Sequence, residues 1–383
     1  MSGQTSGAGS EPGFEHEQVT MVRGVRSAVA IIVAVHSTAL GPAIGGCRLR
    51  RYVDWRDGLD DALALSAAMT EKSSLAGLDH GGGKTVAVLP PGPLDPATRA
   101  ALVLDIADVI GSLQGRYLTG PDLGTGPRDM QIIHQRTGYA LCRPISGGGS
   151  GDSGEATAQG VLAALLAGAE HVFGSRRLLG RRIGILGLGN VGLHLAGLLN
   201  ERGATLTVAD IDEKRRAAAQ ALGAHWSDPR AILSAELDIL VPAAVGKVLT
   251  RAVAEDLNCP LVVGPANNQL AHDDVADILA RRGIVWVPDF LASAGGILHA
   301  VHAELHGLAG DQLASRVAAI GDTVTHVLTD AARSGVTAQQ IANDRAHDRI
   351  RHADDQGAAA EHARPAGSPA PAAQRRAGAR ASC

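Results

Sequence analysis

RIGILGLGNVGLHLAGLLNERGATLTVADID, residues Arg182 to Asp212, decides how the rest of the chain is read. The apolar run Ile183, Ile185 and Leu186 meets Gly187, Gly189 and Gly192; a helical pattern follows through Leu199, and a second apolar run ends at Asp210. That order is a βαβ unit with a phosphate cradle. Gly187 permits the tight turn, Gly189 lets a pyrophosphate approach the backbone, and Gly192 lets the helix pack closely on the strand, with the helix's free N–H groups facing the anion. An acidic residue about 20 positions beyond the first glycine binds the adenosine ribose hydroxyls, and Asp210 fills that place. Its charge opposes a 2′-phosphate, so the motif favours NAD over NADP, although Lys214 and Arg215 stand near enough to blunt the preference. A bare GxGxxG is weak because glycine turns are common. Here the strand, turn, helix, second strand and terminal acid occur together.

A chain of 383 residues with 45% apolar content has material for two domain cores, and a formal charge of −4 argues against general affinity for nucleic acid. No run of about 20 apolar residues stands out as a membrane span, and the start of the chain lacks a signal core, so the expected compartment is the cytoplasm. Cys47, Cys142, Cys259 and Cys383 show no CxxC spacing, and a disulfide or zinc framework is not expected.

Residues 1–15 are rich in Gly, Ser and Glu and are expected to be disordered. Ala28–His36 reads as a strand, GPAIGGCRLRRY from Gly41 as glycine turns with a basic patch, and Trp55–Met69 as a helix. In MTEKSSLAGLDHGGGKTVAVLP, Lys72 closes a helix and Lys84 stands between a triple glycine and the strand Thr85–Leu89. Glycines without side chains let a ligand approach Lys84 and leave its ammonium partly desolvated; two unrelated surface lysines fit the spacing equally well. Asp122 lies in a turn after the strand Tyr117–Thr119, a place that suits a general acid or base and equally an ordinary turn aspartate. GGGSGDSG, from Gly147 to Gly154, reads as a hinge before the helix Thr157–Phe173. Short apolar runs at Ile239–Val241, Leu261–Val263 and Ile284–Val287 suit a buried parallel sheet; the turns after them, including Ala243 and Asn267, fall on its cofactor edge. A helix after Gly295-Gly296 carries His299, His302, Glu304 and His306. His302 and His306 are spaced i, i+4, but there is no HExxH pattern, and no metal site is expected. Residues 312–345 read as helical and the Ala/Arg/Pro/Gly-rich tail from about Asp348 as disordered.

These motifs, in this order, resemble the amino-acid dehydrogenase superfamily, in particular the NAD-dependent leucine, valine and phenylalanine dehydrogenases. The resemblance covers residues 25–345 and rests on GPAIGGCR, MTEK, GGGK, TGPDLGT, GLGNVG with VADID, GPANNQLA and VPDFLASAGG. TGPD and GPANNQLAHDDVADILARRGIVWVPDF look closest to the phenylalanine dehydrogenases of actinobacteria. By the matching residues, the resemblance implies that Lys72 grips the substrate carboxylate, Lys84 activates the attacking water, and Asp122 moves protons to and from the substrate nitrogen. It implies substrate contacts at Ile44, Gly45, Gly120, Pro121 and Ser293. Asn190, Val191, Ile211, Ala243 and Asn267 join the glycines and Asp210 as cofactor contacts, with Ser153 and Thr157 at the nicotinamide. Ile44 stands where the similar glutamate dehydrogenases carry a lysine, so a charged substrate side chain would find no partner there. In two places the chain departs from the family: Ser293 replaces the asparagine of NAGG, and GDSGEAT replaces GDPSPAT.

The expected architecture is α/β: a substrate domain at 16–146, a Rossmann doubly wound NAD-binding domain at 147–300, C-terminal helices at 301–347 packing back on the substrate domain, and a disordered tail at 348–383. The expected function is NAD-dependent deamination of an apolar or aromatic L-amino acid to a 2-oxo acid and ammonia by a homo-oligomer. Ser293 motivates a second reading, an NAD-binding sensor or accessory protein with weak or absent turnover. A third is a superfamily enzyme acting on another amine or on tryptophan-like acids.

Overall fold

In the computed structural model, residues 15–362 are described. The first half comprises strands β1 (Gln18–Arg23), β2 (Ala30–Ser37) and β3 (Ala43–Arg51), helix α1 (Trp55–Leu75), β4 (Gly82–Leu89), α2 (Pro96–Ser112), β5 (Tyr117–Pro121) and α3 (Pro127–Thr137). The second runs α4 (Gly154–Phe173), β6 (Arg182–Leu186), α5 (Asn190–Asn200), β7 (Thr205–Ala209), α6 (Arg216–Ala221), β8 (His225–Trp226), α7 (Ala231–Ser234) and β9 (Ile239–Pro242). It continues through α8 (Arg251–Asp256), β10 (Leu261–Val262), α9 (Val275–Arg281), β11 (Val285–Trp286) and α10 (Asp289–Ala292). Four helices follow: α11 (Gly295–Glu304), α12 (Gly310–Ala318), α13 (Ile320–Ser334) and α14 (Ala338–His362).

The first sheet has the order β1-β2-β4-β3-β5, with β1, β2 and β4 antiparallel in succession and β3 parallel to both β4 and β5. The second is wholly parallel, ordered β11-β10-β9-β6-β7-β8. Counted from β6 this is 3-2-1-4-5-6, the doubly wound order, whose reversal between β6 and β9 opens a crevice at the carboxyl ends of the strands. The fold therefore agrees with the expected α/β architecture.

Local chemistry sets the elements that carry the site. Asp54 caps α1: its carboxylate accepts the Arg56 N–H at 2.8 Å while Asp57 accepts the Asp54 N–H at 3.1 Å, a reciprocal pair worth about 1 kcal/mol. Beyond Met69, α1 runs on to Leu75, so Lys72 sits in its last turn. Helix α4 buries Leu162 and Leu165 among α5, α11 and α13, each such side chain contributing about 1.5–3 kcal/mol. By length and composition α4 is apolar enough to cross a membrane, contrary to the sequence reading; half of it is buried within the protein. One apolar cluster joins Ile44, Leu75 and Leu78 of the first half to α4, α11 and α13 of the second.

Several expectations need correction. β1 had not been foreseen, and GPAIGGCRLRRY contains β3 rather than a run of turns. β4 begins at Gly82, which places Lys84 inside a strand. α11 ends at Glu304, leaving His306 beyond the helix. Residues 348–362, read as disordered, extend α14 to His362. Helix α14 packs on α1, where Arg349 donates to the carbonyls of Ser74 at 3.1 Å and Leu78 at 2.8 Å and to Asp79 at 2.8 Å. The readings for residues 1–14 and 363–383 lie outside the described residues.

Candidate active site

Three separate elements of the first half bring charges together. Pairing of β3 with β4 and β5 sets Ile44 beside Gly82 and Gly46 beside Gly120, so Lys84 on β4 and Asp122 just past β5 meet over a floor of glycine. Lys84 Nζ lies 2.6 Å from Asp122 Oδ2, and Arg48 Nε donates to the same oxygen at 3.0 Å. A side chain at Gly46 would place its Cβ 2.8 Å from the Asp122 Cβ and 3.2 Å from Lys84 Nζ, so glycine is required for this approach. Burial pushes the Asp122 carboxyl up, but Lys84 and Arg48 outweigh it and hold the group well below the usual carboxylate range. Asp122 is thus ionised at neutral pH. Arg48 also donates to Asp61 at 3.0 Å, and Tyr52 donates to the same carboxylate. Sequence reading had seen Arg48 only as part of a basic patch.

Lys72 enters from α1 and donates from Nζ to Asn267 Oδ1 at 3.1 Å, a contact between the two halves of the chain. Burial lowers its pKa to about 8; neighbouring Lys84 acts in the same direction, while Asp289 and Asp122 oppose it. Asp289 moves the other way: burial raises its carboxyl, although the Gln269 N–H at 2.7 Å and the Lys72 charge moderate the effect.

A cavity of about 360 Å³ collects these groups. Lys72, Lys84 and Asp122 share it with Ile44, Gly45, Gly120 and Pro121 from the first half, and with Ser153, Thr157, Val191, Asn267 and Ser293 from the second. Met69, Leu141, Cys142 and Ile297 supply more of its apolar wall. Ser293 is buried and its Oγ donates to the Asp289 carbonyl at 2.6 Å, so the hydroxyl is directed at backbone. Thr157 Oγ1 likewise donates to the Ser153 carbonyl, at 2.7 Å.

The glycine loop lies at the carboxyl end of β6. Gly187 has φ +109°, and a Cβ there would lie 2.7 Å from the Ala244 backbone nitrogen. At Gly192 a Cβ would lie 2.1 Å from the Gly187 carbonyl oxygen and 3.5 Å from the Ala243 Cβ, the close helix-on-strand packing read from the motif. A Cβ built on Gly189 meets nothing within 4 Å, and α5 begins without a side-chain cap, leaving its first N–H groups for an anion. Asp210 Oδ2 accepts the Leu188 N–H at 2.7 Å and Oδ1 accepts the Asp212 N–H at 2.9 Å, which braces the loop from β7. Asn190 donates to Asp152, and Ile211 is exposed next to Asp210. These residues fit a dinucleotide: an open anion seat at a helix N-terminus, an acid at the neighbouring strand end, and Val191 of α5 lining the same cavity as Ser153 and Thr157.

Elsewhere, His302 and His306 face one another with Nδ1 atoms 3.1 Å apart, and among the described residues no group of three or more His, Cys, Asp or Glu is arranged to hold a metal. Cys47, Cys142 and Cys259 are free and buried.

Comparison with known proteins extends over both halves. Residues 14–139 match the Glu/Leu/Phe/Val dehydrogenase dimerisation domain, and residues 206–355 match the Glutamate/Leucine/Phenylalanine/Valine dehydrogenase model. The chain is 36% identical over 338 residues to leucine dehydrogenase of Bacillus cereus, spanning 88% of this chain and 91% of that protein. It is 37% identical over 341 residues to valine dehydrogenase of Streptomyces virginiae, spanning 87% and 94%. The crystal structure of L-tryptophan dehydrogenase from Nostoc punctiforme superposes with a TM-score of 0.74 at 32% identity, covering 89% of this chain and 97% of that one. A likeness of this depth through both domains leaves one assignment: the chain belongs to the Glu/Leu/Phe/Val dehydrogenase family, oxidoreductases that act on the CH–NH2 group of amino acids with a nicotinamide cofactor.

Proposed function

We propose that this protein, as a homo-oligomer, catalyses the reversible NAD-dependent oxidative deamination of an apolar or aromatic L-amino acid to its 2-oxo acid and ammonia. The observation that carries this reading is the convergence of Lys72, Lys84 and Asp122 with Ile44 on a cavity also lined by Ser153 and Thr157. The Lys72 ammonium pairs with the substrate carboxylate and orients Cα. Asp122, ionised beside Lys84, accepts the proton that the substrate ammonium must lose. The bound nicotinamide supplies the hydride acceptor. Lys84 then orients the water that attacks the imine carbon, and Asp122 returns a proton to the departing nitrogen. Ile44 and its apolar neighbours receive the side chain. Asp210 favours NAD, since its carboxylate suits ribose hydroxyls and opposes a 2′-phosphate.

The alternative of an NAD-binding protein without turnover draws no support from the comparisons. A panel of L-amino acids with NAD at or just below pH 8, where Lys72 still carries its charge, read by NADH absorbance, tests the proposal. Turnover is expected on aliphatic or aromatic substrates and not on glutamate. Silence across the panel, or glutamate as the preferred substrate, refutes it.

A further inference from the structure

Cys142 occupies an unusual place in the substrate cavity. Its backbone is left-handed, with φ +58°, a conformation that glycine adopts freely and that strains a residue bearing a Cβ. The preceding residue is tied to β5, Leu141 N–H donating to the Thr119 carbonyl at 2.8 Å. Cys142 itself is held by Glu304, the last residue of α11: its N–H donates to Glu304 Oε1 at 2.6 Å. The same oxygen accepts from Ser150 N at 2.8 Å and Ser150 Oγ at 2.7 Å, and Arg143 Nε donates to Oε2 at 3.1 Å. The Glu304 side chain is 2% exposed, and four donors satisfy it, which is the condition under which a buried carboxylate is tolerated. One carboxylate thereby fixes both ends of the segment joining the two halves and sets the direction of the Cys142 side chain. Compared with glycine, which the backbone would accommodate more easily, cysteine adds one CH2–SH group at a position that lines the cavity together with Ile44, Leu141 and Ile297. Burial pushes the thiol up to about 12, against a hydrogen bond with Ser150 that acts the other way, so it stays neutral.

We propose that Cys142 sets the upper size of the substrate side chain, and that Glu304 is the positioning residue that holds it there. The inference rests on the amino-acid dehydrogenase reading of this cavity. Its test compares kcat/KM for L-valine, L-leucine, L-phenylalanine and L-tryptophan with NAD in the wild type, Cys142→Gly, Cys142→Ala and Glu304→Gln, with folding checked by circular dichroism. Cys142→Gly raises the aromatic-to-aliphatic ratio about tenfold, the scale set by one small group in an apolar pocket, without lowering the thermal midpoint. Cys142→Ala keeps the strained backbone but removes the sulfur; it moves the ratio in the same direction by less, and it carries the test if the glycine variant does not fold. Glu304→Gln shifts the same ratio in the same direction, mainly through KM. An equal loss on every substrate would make Glu304 merely structural and overturn its positioning role. An unchanged ratio in folded Cys142 variants of an active enzyme overturns the size limit alone. A wild type silent on every amino acid overturns this inference together with the functional reading.

Discussion

Lys72→Met separates what the site does for catalysis from what it does to stability. Lys72 keeps its ammonium in a largely desolvated place, and its pKa falls from 10.5 to about 8. At 1.36 kcal/mol per pH unit, that drop corresponds to about 3 kcal/mol of folding free energy forgone near neutrality. Lys72 is partly exposed, so screening reduces the figure, and Asn267 Oδ1 would lose its donor, worth about 1 kcal/mol. The net expectation for the methionine variant at pH 7 is a gain of about 1–2 kcal/mol, a rise of a few degrees in thermal midpoint. The pH dependence gives the sharper test. Between pH 8 and pH 10.5 the unfolded chain holds a proton on this lysine that the folded chain has released, so wild-type stability climbs with pH across that window. The variant's advantage is therefore complete below pH 8 and gone near pH 10.5. Meanwhile kcat/KM falls about a hundredfold, the loss of one charge-assisted bond to the substrate carboxylate, while cofactor affinity holds. Thermal melts from pH 6.5 to 10.5, paired with steady-state kinetics, read both effects. A variant less stable than the wild type by a margin that does not change with pH would refute the desolvation argument.

Lys84→Ala is expected to reduce turnover by about a thousandfold or more, with cofactor binding intact by fluorescence titration; full activity would remove Lys84 from the mechanism. Gly192→Ala places a Cβ 2.1 Å from the Gly187 carbonyl oxygen, so the glycine loop must shift. Cofactor Kd should rise at least tenfold and the melting temperature fall by several degrees, and calorimetric titration showing unchanged affinity would contradict the cradle geometry. In the wild type, kcat/KM for the amino acid should decline as pH rises through about 8, because neutral Lys72 no longer pairs with a carboxylate. A flat profile up to pH 9.5 would argue against that role.

The Rossmann unit was legible because each of its signals is local. Turn, helix and acid lie within one short stretch: Gly187 makes the tight turn, Gly192 the close packing, and Asp210 stands just past β7, where it accepts the Leu188 N–H. β3 was misread for a physical reason: glycine marks both a turn and a close approach. At Gly45 a Cβ would lie 1.8 Å from the Gly83 carbonyl oxygen, so this glycine serves packing within a strand. Arg48 was hidden because its partner Asp122 is 74 residues away and charge pairs at that range leave no periodic trace. Glu304 escaped in the same way, since the groups it holds, Cys142 and Ser150, are more than 150 residues upstream. α14 has no clear apolar stripe in its sequence and is held by polar bonds such as Arg349 to Ser74 and Leu78 and Arg345 to Asp330. For Lys72, Lys84 and Asp122, spacing left ordinary surface roles open; the family resemblance singled them out, and the fold places them together.

The return of α14 onto α1 also has a mechanical consequence. The chain passes between its two halves twice, once through the segment that Glu304 holds and once on the way from α13 to α14, where Arg349 fastens the end to α1. Two anchorages define a line. Any relative motion of the halves would thereby be restricted towards a single rotational degree of freedom about that axis, as a door hung on two pins can swing but not slide. Lys72 and Ser153, contributed to one cavity by the two halves, would then meet along a single arc, so that the geometry offered to a substrate would be the same at each closure.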